Sequence, residues 1–400
     1  MTGERRTAVP EITERELVND AFFEDPYPLW SRLRAQSPIV RVSDLNLYLV
    51  IGFDEVYHVL RHHERYSSAG ERVVEGADGE AAQSDPFRLV LITDDPPRHT
   101  RFRGLVNRAF TPRRIREIEP FIRGVVERLV DAFPAGDVEA VAGLTVPLPV
   151  TVIATLLGIP PEEGDRFKRW SNALIAAQQG GERRADLIEM GLYFMNQVAR
   201  RRGAPAEDLL TALAEAEIDG ERLQDWEIIG FAVLLLVAGN ETTTNLIGNM
   251  LNVLVDRPDL WERLRTDRAL VEPFVEETLR FDSPVQTLPR FVLEGEELAG
   301  VAIPKHVQLN VCFGAANRDP RAFPEPDEFR LDRELSRHVA FGSGIHYCLG
   351  APLARAEARI ALETLLDRYA TLERGAAPAR RQRASHIVRG FRELSLAPRV

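Results

Sequence analysis

The sequence predicts a mainly α protein with a small β portion. Three observations carry that expectation. Apolar residues recur at i, i+3 and i+4 through most of the stretch from His99 to about Leu366. Residues 224–254 are apolar nearly all round in the middle, which suits a helix buried through the centre of a domain. Alternating patterns are confined to Ile39–Ile51, residues 284–310 and residues 385–397.

Taken in order, residues 27–36 carry amphipathic helical spacing, and Ile39–Ile51 reads as a hairpin with Asn46 near its turn. Asp54–His62 returns to helical spacing, and Ala69–Asp85, rich in Gly and Ala with mixed charge, reads as a mobile loop. Helices are predicted near 99–109, 113–132, 149–157, 163–178, 185–202 and 206–216, followed by the long one at 224–254. Shorter helices follow near 259–266 and 269–281. Residues 284–310 are β-like, 314–340 are Pro- and Arg-rich coil, 351–367 form a last helix, and 385–397 suggest a closing hairpin. No internal repeat or linker divides the chain.

Fifty basic against sixty-one acidic residues leave a net charge of −11, which argues against broad attraction to nucleic acid. The N-terminus leads into mixed charge without an apolar stretch, so no signal peptide is expected. Ala140–Pro161 is uncharged but interrupted by Gly143, Pro147, Pro149 and Gly158, and Ile228–Gly239 is too short to span a bilayer. A soluble, cytoplasmic protein without a membrane anchor is the expectation. Cys312 and Cys348 are the two cysteines, too few for a disulfide framework or a zinc site.

Cys348 has unusual surroundings. Residues 338–355 read His-Val-Ala-Phe-Gly-Ser-Gly-Ile-His-Tyr-Cys-Leu-Gly-Ala-Pro-Leu-Ala-Arg, a glycine-rich turn opening into a helix. Glycines let backbone approach a flat ligand. A helix start offers free N–H groups and a positive dipole end, both of which stabilise a thiolate. A lone cysteine is commonly only a small buried hydrophobe. Here the set resembles the haem-binding signature of the cytochrome P-450 family, Phe-Gly-x-Gly-x-x-x-Cys-x-Gly, with Phe341, Gly342, Gly344, Cys348 and Gly350 at every defined position. The resemblance implies that Cys348 is the axial thiolate of the iron in haem b.

Other marks of that family follow in order. Ala238-Gly239-Asn240-Glu241-Thr242-Thr243, inside the long helix, is similar to the family's oxygen-activating motif. A mid-helix Thr commonly bonds back to the carbonyl four residues earlier. By resemblance, Thr242 and Glu241 are the catalytic proton relay and Ala238 lies against the cofactor. Glu277-Thr278-Leu279-Arg280 matches the family's Glu-x-x-Arg, with Arg333 as the third, structural member. His99 and Arg103 lie four apart after Asp95-Pro96-Pro97-Arg98, and with Arg290 and His346 they match the donors to two buried haem propionates.

The resemblance extends from about residue 25 to the C-terminus. It implies a single triangular cytochrome P-450 fold over 25–400, preceded by a tail at 1–24, with Leu91, Val237, Ala238, Val285, Leu288 and Val388 lining an apolar substrate pocket. The activity implied is that of a monooxygenase that inserts one oxygen atom of O2 into a hydrophobic molecule such as a terpenoid, steroid, fatty acid or macrolide. Electrons from NAD(P)H would arrive through a ferredoxin or flavodoxin and its reductase, docking near Arg98, Arg101, Arg108 and Arg355. A peroxide-driven peroxygenase or decarboxylase is the alternative within the family, and a non-catalytic haem sensor the alternative outside catalysis. The intact Glu241-Thr242 pair favours the monooxygenase.

Overall fold

The computed structural model describes residues 9–70, 90–107, 110–164, 166–167, 169–170, 173, 184–218, 220–334, 337–383 and 385–400. The chain divides into two compact units. One, the sheet unit, comprises Met1–Asp78, Glu276–Cys348 and Arg381–Arg389; the other, the helical unit, comprises Gly79–Val275, Leu349–Arg380 and Gly390–Val400. The expected loop at Ala69–Asp85 falls almost wholly outside the described residues, as does much of the helix expected at 163–178.

The sheet unit is built on six strands in the order Glu11–Ile12, Ile39–Val42, Leu47–Val50, Gln308–Cys312, Thr287–Val292 and Tyr66–Ser67. Ile39–Val42 and Leu47–Val50 form the predicted antiparallel hairpin, pairing Ile39 with Val50 and Val42 with Leu47. The two-residue period of a strand then sorts side chains between two cores. Ile39, Val50, Leu309 and Val311 face the helix Phe53–Arg61 through Phe53, Val56, Val59 and Leu60. Val40, Val42, Leu49 and Cys312 face the helix Tyr27–Arg34 through Tyr27, Trp30 and Leu33. Residues 11–24 correct the expected N-terminal tail. Glu11–Ile12 adds a parallel strand to Ile39–Val42, and Leu17 and Phe22 are buried in the second core. Ile12, Leu17 and Phe22, five residues apart in a polar stretch, follow neither the helical nor the strand period.

At the end of the helix Val271–Phe281, Arg280 donates to both carboxylate oxygens of Glu277 at 2.7 Å, and Arg333 Nε donates to Glu277 Oε1 at 3.2 Å. Glu277 and Arg280 are both fully buried, so this is a desolvated ionic cluster rather than a surface bridge.

The helical unit is organised around the helix Asp225–Asp256, which packs against Pro147–Leu156, Arg184–Gly203 and Ala351–Arg368. Among the described residues it is the one helix long and apolar enough to cross a membrane, and most of it is buried inside the protein as a core helix. Beside it lies a three-stranded sheet in the order Thr371–Arg374, Ser395–Arg399, Val138–Glu139. That sheet overturns the closing hairpin expected at 385–397. Ser395–Arg399 pairs antiparallel with Thr371–Arg374, a partner some twenty-five residues upstream (Leu372 with Pro398), and alternation alone says nothing about which strand a strand will choose.

Glu357, on the helix Ala351–Arg368, is 1% exposed and its Oε2 has no hydrogen-bond partner among the described residues. Burial pushes its carboxyl up to about 8. An unfolded glutamate titrates at about 4.3. Between those values unfolding releases a proton, so stability is expected to fall by about 1.4 kcal/mol for each pH unit gained. Glu357→Gln should remove that slope. Urea midpoints at about pH 5 and about pH 8 check it; equal pH dependence in both proteins would contradict the assignment.

Candidate active site

In the sheet unit the loop before Cys348 turns on two glycines in the left-handed region, Gly342 (φ 72°) and Gly344 (φ 68°). At Gly344 a Cβ would stand 2.4 Å from the carbonyl oxygen of Leu60, so a side chain there would drive the loop off the helix Phe53–Arg61. A single 3-10 turn, Gly344–His346, follows, and Cys348 N donates to Phe341 O at 2.9 Å. The loop thus closes on itself around the cysteine. Cys348 is exposed, whereas Cys312 is 2% exposed in the sheet and burial pushes its thiol up to about 12. Of the two, only Cys348 can offer a thiolate to a metal. Two residues on, Gly350 begins the eighteen-residue helix Ala351–Arg368.

Arg290, in the strand Thr287–Val292, is a buried cation, 6% exposed, whose Nη1 donates to Pro289 O at 2.7 Å. His346 is half-buried. Val285, Leu288 and Val388 are half-buried as well, and Val285 pairs with Val388 in an isolated antiparallel bridge.

In the helical unit, the helix Asp225–Asp256 is buried along most of its length but opens in the middle. Ala238 is exposed, and Val237, Gly239, Glu241 and Thr242 are partly so. A Cβ at Gly239 would lie 3.1 Å from Ile153, so the missing side chain is what admits the neighbouring helix. Thr242 Oγ1 donates to Ala238 O at 2.6 Å, the back-bond open to a mid-helix Thr. That bond uses the hydroxyl proton and leaves the oxygen able to accept another. Burial raises the Glu241 carboxyl above the ordinary carboxylate range, which favours its protonated form.

His99 is 2% exposed on the helix Arg98–Val106, and half-buried Arg103 follows one turn later. Leu91 is buried, 5% exposed, and takes φ 70°, a conformation costly for a branched side chain. Asp94 steadies it, its Oδ2 accepting from Leu91 N at 2.7 Å. Asp94 escaped the sequence reading because neither Leu91 nor its neighbours signal a left-handed turn.

The expected docking arginines fare differently. Arg101 Nη2 donates to buried Glu227 at 2.7 Å, and Arg98 stacks on Trp226 at 4.8 Å with Asp94 at 3.7 Å. Both charges are matched inside the unit, so neither is available as an unpaired docking charge. Arg355 is half-buried, and Arg108 lies outside the described residues.

Residues 179–390 match the family model described as cytochrome P450. The chain is also 38% identical over 385 residues to the cytochrome P450 monooxygenase PikC of Streptomyces venezuelae, covering 94% of this chain and 92% of that one. This chain belongs to the cytochrome P450 family. Its fold is similar to the solved structure of CYP109Q5 from Chondromyces apiculatus (TM-score 0.89, 36% identity, 98% of each chain). It is similar also to CYP109E1 from Bacillus megaterium solved with testosterone (TM-score 0.84, 36% identity, 94% of this chain and 100% of that one).

The fold is thus the mainly α cytochrome P450 fold with its small β portion, and the protein is a cytochrome P450 monooxygenase. Membership implies a haem-thiolate cofactor and the use of dioxygen. The donor types found in each unit fit that cofactor. The sheet unit offers an exposed thiol on a glycine loop, and the helical unit a mostly apolar helix whose partly exposed middle carries the Ala238–Thr242 motif. Taken separately, the sheet unit carries buried Arg290 and half-buried His346, and the helical unit buried His99 and half-buried Arg103, side chains suited to carboxylates.

Proposed function

We propose that this cytochrome P450 hydroxylates a bulky hydrophobic molecule of the macrolide or steroid class, with electrons drawn from NAD(P)H through a ferredoxin or flavodoxin and its reductase in the cytoplasm. The observation that carries the reading is the contrast between the two cysteines, Cys348 exposed in its glycine loop and Cys312 sealed as a thiol. Haem b on a thiolate supplies reductive cleavage of dioxygen, the thiolate pushing electron density toward O–O scission. Cys348 would hold the iron, with Phe341, Gly342 and Gly350 shaping the loop around the sulfur. His99, Arg103, Arg290 and His346 would neutralise the two propionates. Thr242 would receive and pass protons at its Oγ1, and Glu241, its carboxyl raised by burial, would resupply them.

Leu91, Val237, Ala238, Val285, Leu288 and Val388 would bind substrate by apolar contact, at about 0.8 kcal/mol for each methylene buried. The printed titles of solved neighbours support the size class: CYP109E1 was solved with testosterone, and a mutant of EryK with erythromycin B. The haem-loaded protein is expected to shift toward high spin when titrated with testosterone or a macrolide. With ferredoxin, reductase and NAD(P)H it should place one atom of isotopically labelled dioxygen in the product. A product free of label, formed only when peroxide is added, would contradict the monooxygenase reading.

A further inference from the structure

Asp282, just past the helix Val271–Phe281, is 5% exposed and is the meeting point of three distant stretches of the sheet unit. Tyr27 Oη donates to its Oδ1 at 3.1 Å, Arg389 Nε to the same oxygen at 2.6 Å, and Arg381 Nη2 to Oδ2 at 3.0 Å. Arg389 is fully used: its two terminal nitrogens donate to Phe23 O and Glu24 O, each at 2.8 Å. Arg318 lies over the rings of Phe281 (3.5 Å) and Tyr27 (4.1 Å) and closes the cluster from a fourth direction. Burial alone would raise this carboxyl, but Arg381 and Arg389 bring it down to about 2, so it stays ionised.

A desolvated ionic cluster of this kind adds little over apolar packing of the same volume, and its best-attested use is to specify one geometry. The geometry specified here is that of two short turns. Val285 follows Asp282 by three residues and Val388 precedes Arg389 by one. The turns are joined by Gln286 N to Ile387 O (2.7 Å), Arg389 N to Pro284 O (2.8 Å) and the single Val285–Val388 bridge. An isolated bridge has no flanking ladder to hold its register. The carboxylate supplies that hold from one side.

We propose that Asp282, gripped by Arg389 and Arg381, is a specificity-setting positioning residue: it fixes the spacing of Val285 and Val388 and thereby the size of ligand the substrate pocket admits. The inference rests on the reading of Val285 and Val388 as pocket residues. Asp282 itself is 5% exposed and acts through the turns it joins.

Azoles test it without knowledge of the substrate, because their nitrogen binds haem iron and shifts the Soret band. Imidazole is too small to reach a pocket wall, whereas clotrimazole carries three aryl rings. In the haem-loaded protein, Asp282→Asn is expected to leave the Kd of imidazole unchanged and to move that of clotrimazole about tenfold. Arg389→Lys keeps the charge but cannot span three acceptors, so it should shift clotrimazole in the same direction; it carries the test if Asp282→Asn loads haem poorly. The double variant Asp282→Asn with Arg389→Lys should shift no further than the larger single variant, as expected for one network.

A clotrimazole-to-imidazole ratio equal to that of the parent would overturn the proposal, as would equal shifts for both azoles. Val285→Phe and Val388→Phe separate the layers. If they change the ratio while Asp282→Asn and Arg389→Lys do not, the clamp fails alone. If they leave it unchanged, the pocket reading fails and takes the clamp with it.

Discussion

Thr242→Ala is expected to take up haem and bind substrate as the parent protein does, while sending a larger share of its electrons into hydrogen peroxide and less into oxygenated product. Alanine suits a helix, so the fold should tolerate the change. The back-bond to Ala238 is lost, but that carbonyl keeps its place as an acceptor within the helix. What disappears is the one hydroxyl on the partly exposed face between Ala238 and Thr242, and with it a group able to accept a proton and pass one on. A positioned proton-transfer group typically contributes ~10²–10⁴-fold. The loss should therefore appear in coupling rather than in affinity. NAD(P)H consumed, peroxide formed and product made, measured in one reaction, separate the two. If Thr242→Ala couples electrons to product as the parent does, the hydroxyl serves only as a helix back-bond.

Local signals were legible in the sequence and distant ones were not. The hairpin at 39–51, the long central helix and the cysteine loop each declare themselves within a few turns of chain. Alternation, all-round apolarity and glycine spacing are local consequences of geometry. Even so, the alternation at 39–51 hides the fact that both faces of the sheet are buried, since Val40 and Val42 are as enclosed as Ile39. The closing hairpin at 385–397 failed because Ser395–Arg399 finds its partner at Thr371–Arg374.

The candidate site divides in the same way. Cys348, Glu241 and Thr242 stand in compact motifs. Asp282 and Arg389 are 107 positions apart and carry no local mark, although a buried ion pair joins them. The docking arginines mislead for the converse reason. Arg98 and Arg101 look like surface charges until the chain brings Glu227 and Trp226 alongside them.

Cys348→Ser is expected to abolish thiolate ligation altogether, the largest effect of any single substitution in the chain. A serine hydroxyl in the same glycine loop would not ionise near neutral pH, and no second thiolate can take over. Cys312 is 2% exposed, its Sγ lies 3.9 Å from Thr287 Oγ1, and its thiol is pushed up to about 12. Cys312→Ser should therefore change nothing at the iron.

The absorption spectrum of the reduced, carbon monoxide-bound protein reads that ligation directly. The parent and Cys312→Ser are predicted to show the red-shifted Soret band of thiolate-ligated haem, and Cys348→Ser to lack it. A red-shifted band that survives in Cys348→Ser would contradict the assignment of Cys348 as the iron ligand.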